Sequence, residues 1–131
     1  MQARFDSNCP YQRPFQLPMG QIHDTEVADI YFEFLGYPHH DVVATAEASA
    51  EQRAEFFRWH LHEADEVRRC VGGTGDFSFW TGHGILTLTL DPGDYLVIPS
   101  RTVHRYQGLG TFFRYFKDDL GWTPIYVDIT T

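Results

Sequence analysis

Lysine is almost missing from this chain: of its ten basic residues only Lys117 is a lysine, against 18 acidic ones. The formal net charge of −8 argues against a nucleic-acid partner, because phosphate binding needs a basic face and the chain offers only short pairs such as Arg68-Arg69. Cysteine is scarce too. Cys9 and Cys70 stand far apart and form neither a CxxC nor a zinc-ribbon spacing, so free thiols in a reducing compartment are expected rather than a disulfide framework. No stretch approaches the ~20 apolar residues of a bilayer span, and the first residues carry no apolar run of signal-peptide length. No membrane partner and a cytoplasmic location are the corresponding expectations.

What is present is aromatic. Apolar residues make up 43% of the 131 and ring side chains 16%, a composition suited to a packed β core. A chain of this length buries such a core without structural metal, so a metal site here would serve function more than folding. One domain, 1–131, is expected, in three parts. Residues 1–20, with Pro10, Pro14 and Pro18, read as an extended arm lying on the body. In the helical region 21–57, Val27, Ile30, Tyr31, Phe34 and Leu35 give an amphipathic helix over Ile22–Leu35, ended by Gly36 and Pro38. A second helix is expected over Ala44–Phe57, with Ser49 and Gln52 as a capping pair. From 58 to 131 short strands alternate with turns: 66–71, 77–80, 85–90, 95–99, 104–107, 111–117 and 125–129. The fold class is therefore mainly β, a sandwich or small barrel with one or two N-terminal helices.

Within the β region, His60, His62, Glu66 and His104 form the candidate metal site. Three imidazoles and one carboxylate suit a divalent first-row ion such as Fe(II), Ni(II), Mn(II), Co(II) or Zn(II), and leave two adjacent positions open to a chelating substrate. On a strand His60 and His62 point the same way, and that parity continues through Glu66, Arg68 and Cys70. On a helix they would diverge by roughly 200 degrees. Tyr106 lies two residues past His104 and so faces the same cavity, either as core packing or as a phenol donating to bound substrate. Phe56 is expected over the pocket and Phe57 on the opposite face. Glu63 and Asp65 have the wrong parity and should be solvated. Arg105, His23, His39, His40 and His83 read as surface residues, and Cys70 as a buried structural thiol.

The text His60-x-His62-x3-Glu66, then Gly93-Asp94-x4-Pro99-x4-His104, resembles the two motifs of the cupin superfamily. Within it, the Glu55–Arg68 stretch, the glycine turn at 72–75, Arg114-Tyr115-Phe116 and Trp122-Thr123-Pro124 are similar to the acireductone dioxygenase family. That resemblance implies a cupin β-barrel, or jelly roll, holding its metal on His60, His62, Glu66 and His104, with Arg68 helping to hold an anionic substrate. Arg114 matches a family arginine. The family cleaves an enediol with dioxygen to a 2-keto acid and formate, within methionine salvage. Two positions depart from the pattern: Arg101 stands where cupins place glycine, and Tyr106 where the family places phenylalanine.

The implied partners are a small anionic chelating substrate and dioxygen, and the arm's aromatics raise a homodimer as an expectation. The leading function is oxidative cleavage of a carbon–carbon bond in an enediol or α-hydroxyketone. The competing ones are an oxygen-independent isomerase, hydratase or decarboxylase on the same ligands, and a non-catalytic binding module, which would more often lack one of the four donors.

Overall fold

The structure is a computed structural model that describes residues 1–6, 17–118 and 123–129. Cys9, Pro10, Pro14 and Trp122 fall outside the described residues. Among those described, the elements run β1 (Gln2–Asp6), β2 (Met19–Gln21), α1 (Thr25–Phe34), β3 (His39–Ala44) and α2 (Ala50–Phe56). They continue β4 (His60–Leu61), β5 (Glu66–Gly72), β6 (Gly75–Trp80), β7 (Ile85–Leu90), β8 (Asp94–Ile98), β9 (His104–Gly108), β10 (Thr111–Phe116) and β11 (Ile125–Tyr126).

The strands form two antiparallel sheets, ordered β1-β7-β6-β9-β4-β11 and β2-β8-β5-β10-β3, which is the two-sheet barrel expected. Alternation explains the layers. Cys70, Leu96, Ile98 and Phe112 from the smaller sheet meet Phe77, Phe79, Leu88 and Tyr106 from the larger one in a single apolar core. On the outer face of the smaller sheet, Val67 and Tyr115 receive Ala28 and Phe32 of α1 in a second cluster. Strand β5 is consequently buried on both faces from Glu66 to Cys70. Arg69, buried on the α1 side, donates from Nη1 to the Ile22 carbonyl and from Nη2 to Thr25 Oγ1.

The arm and the helical region differ from expectation. The described ends of the arm are strands, β1 along β7 and β2 along β8, because edge positions of both sheets offer unpaired backbone groups. Helix α1 begins three residues later than expected, where Asp24 caps it by accepting from the Val27 amide. The second helix is seven residues long, not fourteen. Ser49 and Gln52 do make the capping box, but a 3-10 turn occupies Thr45–Glu47 and the preceding segment is a strand. Strand β3 pairs with β10 along its whole length, from Ala44 opposite Thr111 to His39 opposite Phe116. Of the expected helix only Ala44 lies in this strand, and the 3-10 turn after it delays the helix start to Ala50; His39 and His40 are exposed on the strand.

Candidate metal centre

The three histidines converge, by a route other than a single strand. His60 on β4 lies directly opposite His104 on β9 in the larger sheet. The chain leaves β4 after Leu61, bends through residues 62–65 and enters the smaller sheet at Glu66. Continuous parity from His60 to Cys70 therefore does not hold. It holds within β5, where Arg68 lines the cavity and Cys70 joins the core, and the bend brings His62 to the same point. One turn fixes that bend: the Arg101 amide donates to the His62 carbonyl at 2.8 Å. Arg101 adopts φ 64° there, the one positive-φ residue other than glycine among those described.

One nitrogen from each of His60, His62 and His104 lies within 4.8 Å of the others, a three-histidine metal-binding site. Backbone carbonyls set the tautomers. His60 Nδ1 faces Arg58 O at 2.7 Å and His104 Nδ1 faces Thr102 O at 2.8 Å, so each Nδ1 carries the proton and donates it, leaving the Nε2 lone pair for the ion. Glu66 is not part of the three-nitrogen cluster, yet its carboxylate adjoins it: Oε1 is 3.3 Å from His104 Nε2 and Oε2 is 3.6 Å from His62 Nε2. His104 Nε2 and Glu66 Oε1 are both buried without a hydrogen-bond partner. Two orphaned acceptors aimed at one point are what a cation would satisfy, so the donor set fits a divalent ion.

Protonation states support this. Burial, reinforced by the neighbouring His104, lowers His60 to about 3, and burial lowers His62 to about 4, so both rings are neutral and able to ligate at pH 7. Burial alone would raise Glu66, but the Arg68 guanidinium and the histidines hold it at about 2. It stays an anion.

A cavity of about 200 Å³ opens beside the histidines, between the sheets. Of the residues expected there, Arg68, Tyr106, Arg114 and Phe56 all line it. Arg68, 7% exposed, donates from Nη2 to Glu66 Oε2 at 3.0 Å, while its Nη1 is buried with no partner. The Tyr106 hydroxyl is engaged within the protein, 3.0 Å from Thr45 Oγ1 and accepting from the Gly110 amide at 3.3 Å. The phenol is part of the wall. Its ring also packs so tightly on Gly75 that a Cβ there would clash with it.

Phe56 stands edge-on to Tyr106, with centroids 6.3 Å apart, and Phe57 points outward beneath the Arg105 guanidinium. Arg105 is half-buried there and against Trp59, not simply at the surface. Asp65, expected to be solvated, accepts from the Ser100 amide and from Lys117. Cys70 is a buried free thiol.

Sequence reasoning missed the contribution of β3 and the turn after it. Val43 and Thr45 line the cavity, and Asp41, on the same strand face, pairs with Arg114. The alternation Asp41-x-Val43-x-Thr45 was the available signal.

Comparison with known proteins places these features in a family. The model of the ARD/ARD′ family matches residues 21–124. Acireductone dioxygenase of Leptospira biflexa is 34% identical over 100 residues, covering 71% of this chain and 56% of its own length. That of Bacillus cytotoxicus is 30% identical over 113 residues, covering 80% and 66%. Among solved structures, acireductone dioxygenase from Bacillus anthracis with a cadmium ion in its active center superposes with a TM-score of 0.65 at 31% identity, covering 77% of this chain and 62% of that one. The chain spans about half the length of the first curated relatives it matches.

Proposed function

The chain belongs to the ARD/ARD′ family, and from that membership we propose that it is a metal-dependent dioxygenase that cleaves a carbon–carbon bond of an enediol or α-hydroxyketone. The observation that carries the reading is the convergence of three imidazoles, His60 and His104 with their tautomers fixed by backbone carbonyls, and the Glu66 carboxylate on one point beside a cavity.

His60, His62, Glu66 and His104 would hold the ion, Fe(II) in our reading, with Ni(II), Mn(II) and Co(II) as the competing ions. When bound, such an ion would supply a Lewis-acidic, redox-capable centre with two adjacent positions for a chelating ligand. The protein does the rest. Three neutral imidazoles and one carboxylate leave the site with a net charge near +1, which selects an anionic substrate. Arg68 Nη1, buried and unpartnered, is the donor available to a substrate oxyanion. Phe56, Phe77 and Phe112 line the same cavity and exclude water from it, which protects a reactive intermediate from side reactions.

The test is dioxygen uptake by anaerobically Fe(II)-loaded protein supplied with a synthetic acireductone, with formate as the measured product and His104→Ala as control. Uptake with stoichiometric formate, abolished in the variant, is expected. A metal-loaded protein that consumes no oxygen, or turns over only with zinc, would sink the dioxygenase reading in favour of isomerase, hydratase or decarboxylase chemistry.

A further inference from the structure

Three charged side chains form one row across the smaller sheet. Arg68 on β5 lies opposite Arg114 on β10, and Arg114 lies opposite Asp41 on β3. Both guanidiniums line the cavity. Like charges on directly opposed positions repel, so each arginine needs its own anion to stay in place. Arg68 has Glu66. Arg114 has Asp41, through a two-point fork: Nε donates to Oδ1 at 2.8 Å and Nη2 donates to Oδ2. Such a bidentate pair fixes the plane of a guanidinium as well as its position.

We infer that Asp41 is a positioning residue, holding Arg114 beside Arg68 so that the two guanidiniums form one subsite for an oxyanion of the chelating substrate. The inference rests on the proposed reading of the cavity as a site for an anionic, metal-bound ligand. It is supported by Arg68 Nη1, a buried donor without a partner at that wall, and by Val43, two residues past Asp41 on the same strand face, and Thr45 in the turn that follows, which line the cavity together with Arg114. Asp41 is itself an anion, and its two roles oppose one another. As a bare charge it weakens the binding of any other anion nearby, whereas as the anchor of Arg114 it strengthens binding. The sign of its removal separates the two.

Oxalate, a planar dianion that chelates through two adjacent positions, is the probe, titrated by calorimetry into Co(II)-loaded protein. Neutral imidazole and Co(II) itself are titrated in parallel. Asp41→Asn and Arg114→Ala are each expected to weaken oxalate binding by about tenfold. The double variant should be no weaker than either single one, Asp41→Glu should retain most of the affinity, and imidazole and Co(II) binding should not move. The inference is overturned if Asp41→Asn tightens oxalate binding or leaves it unchanged, if the two losses add, or if imidazole weakens in parallel, which would mark general damage to the site. Oxalate binding needs neither oxygen nor turnover, so failure of the oxygen-uptake assay would leave this result standing. An unaltered protein that binds no Co(II) would overturn both.

Discussion

Arg68 Nη2 donates to Glu66 Oε2 at 3.0 Å from two residues further along the same strand, with both side chains buried. Without an ion, this guanidinium is the permanent positive charge in contact with the Glu66 carboxylate.

Replacing Arg68 by Ala therefore leaves Glu66 as an uncompensated buried charge. The metal-free variant should lose about 3–5 kcal/mol of stability, measured by urea denaturation, and a divalent ion should restore a large part of it by binding the freed carboxylate. A loss that persists undiminished with saturating metal would show that Arg68 acts through packing instead.

Acid should destabilise the metal-free protein well above the usual carboxylate range. His60 and His62 titrate at about 3 and about 4 when folded and at 6.5 when unfolded. Between pH 6.5 and 4 the unfolded chain thus binds protons that the folded one refuses, and folding stability falls as pH falls. Each ring contributes at most about 1.4 kcal/mol per pH unit. Glu66, held at about 2 against a reference value of 4.5, adds stability that is present above 4.5 and is lost on further acidification. Urea midpoints at pH 7.5, 6.5, 5.5 and 4.5 measure the slope; a flat profile down to pH 5 would contradict the burial of these rings.

Tyr106→Phe removes the hydroxyl shared with Thr45 and Gly110 while keeping the ring. It should cost about 1 kcal/mol of stability and leave metal content and the rate of oxygen uptake within a few-fold of the unaltered protein. A loss of activity by two orders of magnitude would return the phenol to the chemistry.

Arg101→Gly should stabilise the protein by about 1 kcal/mol, because the left-handed conformation at φ 64° is costly for a residue with a Cβ and free for glycine. Thermal melting compares it with Arg101→Ala, which keeps the Cβ and should show no such gain.

The β region was legible because turn glycines and alternating apolar residues punctuate it: Ile85–Leu90 appears with the bounds expected, and its neighbours differ by a residue or two at their ends. The donor residues were legible as a spacing, although the parity argument for them was incomplete. His60 and Glu66 belong to different sheets, with His62 in the bend between them, and a crossing between sheets leaves no periodic trace. Strand β3 stayed hidden for a related reason. Its place is set by long-range pairing to Arg114 and its neighbours, while the local text around Ala44–Ala50 favours helix. With β3 went Asp41, Val43 and Thr45. The hydroxyl contacts of Tyr106 were equally out of reach, since they depend on how Thr45 packs across the barrel.

His60 and His104 belong to one sheet and Glu66 to the other, so an ion held by all three would be a rivet through the sandwich. The mouth could not splay open without stretching a coordination bond, and the ion could not leave without slackening the mouth. Metal release and the loosening of this end of the barrel would then be a single event, and the rate at which the protein gives up its metal would report how often the two sheets part.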